Sequence, residues 1–237
     1  MQRFFTKDTL DDIYTITDNA WIHQLSRVLR GKVGDEIILF QEDGTQRVYT
    51  LSEIRKKQII LQAQGEKTQV HREQKQNIIL YQALPNKWEK IEYIIQKSVE
   101  VGIEKIVFFR SQRSQKLVIS QKKRERWENI ATEALEQCGG YRPTVLEYVD
   151  SLSQVQIPAS YKHIVLHTQG KSQSVQDIYD KKQKKYALWV GPEGGWSDEE
   201  ISFLSNNNSI IAHFGERILR TETMGAVIGF AILHGYR

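Results

Sequence analysis

Between Thr17 and Leu29 apolar residues recur at helical spacing: Trp21, Leu25, Val28 and Leu29 share one face, and Thr17 or Asp18 can cap the start. The period then shortens. Residues 36–41, 47–54 and 58–63 read as strands, separated by turn signals at Gly34-Asp35, Asp43-Gly44 and Arg55 to Lys57. Several short strands within the first seventy or so residues predict a small β-barrel.

From about residue 72 strand and helix alternate, which predicts an α/β domain with a mainly parallel sheet covered on both faces. The boundary is expected between Gly65 and Lys75, giving domains at 1–70 and 71–237. Strands are expected at 77–83, 105–110, 163–167, 186–190 and 209–214. Ile91, Ile94, Ile95 and Ser98 mark the inner face of a helix ending near Gly102. Trp127, Ile130, Ala131, Ala134, Leu135 and Cys138 mark another, stopped by Gly139-Gly140. This spacing makes Cys138 a core thiol. Met224, Val227, Ile228 and Ala231 mark a last helix. Each of the last three strands runs into a glycine-containing loop, and in a parallel sheet such loops share the carboxyl edge, where ligands bind.

Composition sets the class. The 237 residues are 40% hydrophobic and 26% charged, enough for a core without disulfide or metal staples. No apolar run approaches a membrane span, and the Met1-Gln2-Arg3-Phe4-Phe5 start lacks the apolar stretch of a signal peptide. With one cysteine, no internal disulfide can form, and a cytoplasmic location is expected. The six scattered histidines show no metal-ligand spacing, so no metal is expected. A net charge of +4 favours a polyanionic partner, and eight basic residues against one acid between Lys105 and Arg126 sharpen that preference. Lys181, Lys182, Lys184 and Lys185 form a second run.

Two loops can carry chemistry. Gly191-Pro192-Glu193-Gly194-Gly195 follows a strand, and Ser197 with Glu200 forms a capping box for the helix beyond. The segment is neither a Walker loop nor a dinucleotide fingerprint, and its acid would repel a phosphate. A ligand with hydroxyls, an amine or a positive centre suits it better. Taken alone, it reads equally well as a turn capped for stability. The second loop, Gly215 to Thr223, places Arg220 and Glu222 at a helix start, where backbone N–H groups remain free.

Gly191 to Gly195 followed by Trp196, Ser197 and Glu200, together with Ile218-Leu219-Arg220-Thr221-Glu222-Thr223, resembles the RsmE family of 16S ribosomal RNA uracil-N3 methyltransferases. His23 to Arg30, Lys87 with Glu89 and Lys90, Gln96 to Gly102 and Glu133 to Gly139 are similar to further motifs of that family, so the resemblance spans nearly the whole chain. It implies a PUA-like RNA-binding β-barrel, then a SPOUT-type α/β domain with a C-terminal trefoil knot, in a homodimer. It implies S-adenosyl-L-methionine (SAM) as cofactor and 16S rRNA, in the assembled small ribosomal subunit, as partner.

By this resemblance SAM is held by Leu166, His167 and Thr168, by Gly191, Pro192, Glu193, Gly194 and Gly195, and by Phe214, Gly215, Leu219 and Thr223. Arg27, Arg30, Lys87, Arg110, Arg113 and Arg142 are the expected RNA contacts. Uracil N3 must lose its proton, and negative charge then spreads onto the neighbouring carbonyls, so a base and a cation are useful. Arg220 is the expected stabiliser; Glu193 and Glu222 are alternatives for base or substrate anchor. Two positions depart from the family pattern. Gly140 stands where an arginine usually follows the central helix, with Arg142 two residues later, and Met224 replaces a small residue. The alternatives are a SPOUT methyltransferase for another base or a transfer RNA, and a non-catalytic RNA-binding assembly factor.

Overall fold

The computed structural model describes residues 1–70, 76–168 and 173–235. The chain forms two units, Met1–Arg72 with Leu135–Arg142, and Glu73–Ala134 with Pro143–Arg237. Of the expected boundary region, 65–75, only 71–75 lies outside the described residues, as does Gly170, the glycine expected after the strand at 163–167, with 169–172.

The first unit holds β1 (Gln2–Phe5), β2 (Ile13–Ile16), α1 (Asn19–His23), β3 (Glu36–Phe40), β4 (Thr45–Ile54) and β5 (Ile59–Gln69). They form a barrel-like five-stranded sheet in the order β1-β3-β4-β5-β2, with only β1 and β3 parallel. Alternating inward positions, among them Phe4, Ile16, Leu39, Tyr49, Leu51 and Leu61, fill its core with Ile22 and Leu25. β5 runs six residues past the expected end at Ala63. Between the pairs Gln46–Thr68 and Val48–Gln64 it accommodates extra residues as a bulge, where Gly65 takes a φ of +71°.

Asp18, of the two candidate caps, starts α1 by accepting from Ala20 N and Trp21 N. Beyond it Gln24–Val28 is π-helical, with Leu29 N donating to Gln24 O. The wider turn rotates the later residues off the apolar face. Leu25 is buried, whereas Val28 is 64% exposed, contrary to the expected single stripe.

The second unit alternates as expected: β6 (Asn77–Ala83), α2 (Trp88–Val101), β7 (Lys105–Phe109), α3 (Gln121–Cys138, its residues from Leu135 on belonging to the first unit), β8 (Val145–Val149), β9 (Lys162–Leu166), β10 (Gln173–Ser174), α4 (Val175–Ile178), β11 (Lys185–Val190), α5 (Asp198–Asn206), β12 (Ile210–His213) and α6 (Thr221–His234). All pairings are parallel, in the order β10-β12-β9-β11-β6-β7-β8. β11 inserts between β9 and β6, and α6 returns against α2, β6 and β11.

One face of this sheet is aromatic. Tyr81 stacks on Trp189 at 4.0 Å, and Phe109 lies parallel to Trp196 at 6.0 Å. Trp189 Nε1 donates to His163 Nδ1 at 3.1 Å, so the ring proton sits on Nε2, which donates to Pro158 O at 2.9 Å. Burial holds the His163 pKa below its usual value, in keeping with a neutral ring.

Two expected stripes are rotated. Cys138 is exposed, not a core thiol, and Glu136 is buried instead, its carboxylate accepting from Phe5 N at 3.0 Å. A backbone donor offsets part of the cost of burying the acid. In α6 the fully inward positions are Gly225, Ile228, Gly229 and Ile232, while Met224, Val227 and Ala231 are half-buried. The two glycines let α6 approach closely: a Cβ on Gly225 would meet Leu80 Cδ2 at 2.8 Å.

Candidate cofactor site and methyl-transfer centre

The carboxyl ends of β12, β9 and β11 are neighbours in the sheet, so the three loops beyond them converge. His167 N donates to Ala212 O at 2.9 Å, which ties the first loop to the third strand. Trp196 Nε1 donates to Leu166 O at 3.1 Å, which ties the second loop to the first. Thr221 Oγ1 donates to Gly191 O at 2.6 Å, which ties the third to the second.

Local sequence shapes the middle loop. Gly195 takes a φ of +69°, and its N–H closes a turn onto Pro192 O. Gly191 lies against the Trp196 indole, where a Cβ would come within 3.1 Å. The capping box forms as read: Ser197 Oγ accepts from Glu200 N, and Glu200 Oε2 accepts from Ser197 N. Glu200 Oε1 also accepts from Gln112 N at 3.0 Å, and Arg113 Nη1 donates to Gly194 O at 3.1 Å. The basic loop after β7 is thereby fastened to the Gly191–Gly195 loop.

A cleft of 160 Å³ opens between the first and third loops. Of the expected cofactor residues, Leu166, His167, Thr168, Phe214 and Gly215 line it, with Met224 from α6. Gly191 to Gly195, Leu219 and Thr223 do not, and the Thr223 N–H is used within the helix turn by Arg220 O. The volume is comparable to a cavity of ~150 Å³ that holds one aromatic ring. Burial lowers the His167 pKa despite the opposing Asp198 charge.

The charged residues gather around a side chain that was not among the expected site residues. Lys90 Nζ lies 2.7 Å from Glu193 Oε1 and 3.6 Å from Glu222 Oε2, while Arg220 Nη1 is 4.0 Å from Glu222 Oε1. Glu193 Oε1 also accepts from Asn86 N at 3.1 Å. Burial opposes ionisation of Glu193, but the hydrogen bonds from Lys90 and Asn86 outweigh it and leave its pKa below the ordinary carboxylate value. The same hydrogen bond raises the pKa of Lys90. Arg220 stands at the N-cap position of α6 with its side chain 84% exposed and making no capping hydrogen bond, whereas the Glu222 side chain is 13% exposed. The signal for Lys90 was its position: the first turn of α2 opens at the same sheet edge, directly after β6.

A family model described as an RNA methyltransferase domain matches residues 72–232. The ribosomal RNA small subunit methyltransferase E of Bacillus subtilis is 32% identical, over 94% of this chain and 92% of its own. The chain belongs to the ribosomal RNA small subunit methyltransferase E family. A Neisseria gonorrhoeae methyltransferase E, solved bound to S-adenosyl methionine, superposes with a TM-score of 0.83 at 26% identity, over 98% of this chain and 96% of its own. A Legionella pneumophila methyltransferase with bound SAM gives a TM-score of 0.87 at 28% identity, with the same coverage.

In this member of the methyltransferase E family the expected RNA contacts are differently disposed. Arg27, Arg30 and Arg142 are exposed in the first unit, Lys87 and Arg113 in the second. Arg110 is half-buried and donates to Leu117 O. The basic run is only partly available: Lys105 pairs with Glu147 and Arg126 with Glu92, while Lys123 and Arg124 sit over Trp88 and Tyr148. Among the described residues no group of three or more His, Cys, Asp or Glu could hold a metal, and no helix is long and apolar enough to cross a membrane.

Proposed function

We propose that this chain transfers the methyl group of SAM to N3 of a uridine in the 16S rRNA of the small ribosomal subunit. The observation that carries this is the cleft between the loops after β9 and β12, with Arg220, Glu222, Glu193 and Lys90 linked at the same sheet edge. The first and third loops fit an adenosine: Leu166, Phe214 and Met224 provide apolar walls, and neutral His167 does not repel a positive sulfur. When bound, SAM supplies an electrophilic methyl group.

The protein's task is then to position the base, manage its N3 proton and exclude water. Arg220, exposed and held only at 4.0 Å by Glu222, is the cation that reaches the uracil carbonyl oxygens as they gain charge. Glu193 is a poor base, because Lys90 and Asn86 hold it ionised. Its role is to anchor Lys90. Glu222 is therefore the better candidate to accept the N3 proton or hold the imide N–H, with Lys90 setting its position.

The same reading takes the first unit as a PUA-like RNA-binding domain, the C-terminal turn of the chain as a trefoil knot, and the active form as a cytoplasmic homodimer acting on the assembled subunit. Arg27, Arg30, Lys87, Arg113 and Arg142 are its RNA contacts. The test is transfer of labelled methyl from SAM to unmethylated small subunits. Arg220→Ala is expected to lose about 10²–10³-fold in kcat, the scale for removing one charge-stabilising donor. Full turnover by that variant removes Arg220 from the mechanism.

A further inference from the structure

Gln82, in β6, is fully buried, and the methyl-transfer scheme makes no use of it. Its Nε2 donates to Ala83 O and to Thr221 Oγ1, both at 3.0 Å. Because one partner is a carbonyl, which can only accept, the amide orientation is fixed: nitrogen faces Ala83 O and Thr221. A hydroxyl has one proton. Accepting from Gln82, Thr221 is left to aim that proton at Gly191 O, 2.6 Å away. The three groups form a directed chain, Gln82 to Thr221 to Gly191.

The arrangement is poor as a stability device. Gln82 Oε1 is buried without a hydrogen-bond partner, so an apolar residue of similar size would fill the space at no such cost. The accomplishment of the hydrogen-bond chain is geometric. Thr221 is the first residue of α6, flanked by Arg220 and Glu222, and Gly191 opens the loop that runs to Gly195. One buried amide therefore fixes the charged start of α6 against the loop after β11.

We propose that Gln82 is a positioning residue, acting through the Thr221 hydroxyl to lock the Gly191–Gly195 loop to the N-terminus of α6. The role rests on the reading of these loops as the SAM and methyl-transfer site, but its geometry is testable without it.

Hydrogen exchange of the SAM-free protein gives the direct readout. Thr221→Val keeps the shape and removes the relay, and exchange in the 191–195 segment is expected to speed up about tenfold, with other segments unchanged. Thr221→Ser, which restores a hydroxyl, should return it to the wild-type rate. Gln82→Leu should speed the same segment, and the double variant should be no faster than Thr221→Val, because both break one chain. Gln82→Leu is also the variant to use should Thr221→Val fold poorly. In calorimetry and turnover assays the SAM Kd should rise, and kcat fall, about tenfold in Thr221→Val but not in Thr221→Ser. Unchanged 191–195 exchange in folded Gln82→Leu, or independent effects that multiply in the double variant, overturns the relay. Loss of ordering without loss of SAM binding or turnover would instead count against the reading of the site.

Discussion

Glu200 is the side chain whose removal tests most sharply how the middle loop is held. Only 4% exposed, its carboxylate closes the capping box on Ser197 N and accepts from Gln112 N, each at 3.0 Å. Glu200→Ala leaves the Ser197 N–H buried without a partner, a loss of about 1–3 kcal/mol, and frees the partly buried Gln112 N–H for roughly 1 kcal/mol more. The sum is about 2–4 kcal/mol. For a chain of this size each kcal/mol lowers Tm by about 2–4 °C, so a fall of roughly 5–15 °C is expected. Glu200→Gln retains one carbonyl acceptor for two donors and turns an amide N–H toward the other, so it should fall between. Thermal unfolding followed by circular dichroism measures the stability series, and calorimetry at a temperature where all variants are folded measures SAM affinity. Because the carboxylate joins the loop after β7 to the Gly191–Gly195 loop, affinity should decline in the same order. A Glu200→Ala protein within about 2 °C of wild type would refute a stabilising role for the two hydrogen bonds.

Three other outcomes are expected from the same geometry. Trp196→Phe deletes the indole donor to Leu166 O and should cost about 1–3 kcal/mol in urea unfolding, with weaker SAM binding; unchanged affinity would separate the first loop from the cofactor. Lys90→Met with Glu193→Gln should show a coupling of about 1 kcal/mol at neutral pH in a double-mutant cycle. The Glu193 pKa is lowered, so its contribution is present above the ordinary carboxylate pKa and lost as pH falls through the lowered one; the Lys90 contribution is present below its ordinary pKa and lost as pH rises through the raised one. A coupling that persists unchanged at a pH where Glu193 is protonated would contradict the pairing. Gly225→Val should destabilise by about 1–3 kcal/mol through its clash with buried Leu80, and a stabilising effect would show that α6 lies farther from β6 than described.

The elements legible in the sequence were those with a strong period or a strong stop. β6 has the bounds its pattern predicts, and α2 ends at Gly102, which takes a left-handed φ of +93°. β1 and β8 are not legible in this way: four residues at the chain start carry too little pattern, and Val145-Leu146-Glu147-Tyr148-Val149 has no clean alternation, its first residue being half exposed. Cys138 departs from its expected place because helical spacing identifies a face but not where that face stops being core; a backbone donor from β1 captured Glu136 instead. The loops of the site are visible through glycine, proline and cap chemistry. Gln82 is not, and of Lys90 only its place at the sheet edge is, because each acts through a partner more than a hundred residues away, Thr221 and Glu193. Pairings of that range are set by strand order, which local pattern does not encode.

The central claim, methylation of uridine N3 in 16S rRNA with SAM, meets its most direct test in nucleoside mass analysis. Unmethylated small subunits incubated with the protein and SAM should gain one N3-methyluridine per 16S rRNA, and subunits incubated with Arg220→Ala should gain almost none over the same interval. A methyl group on another base, or no gain with a protein that binds SAM, would contradict the account.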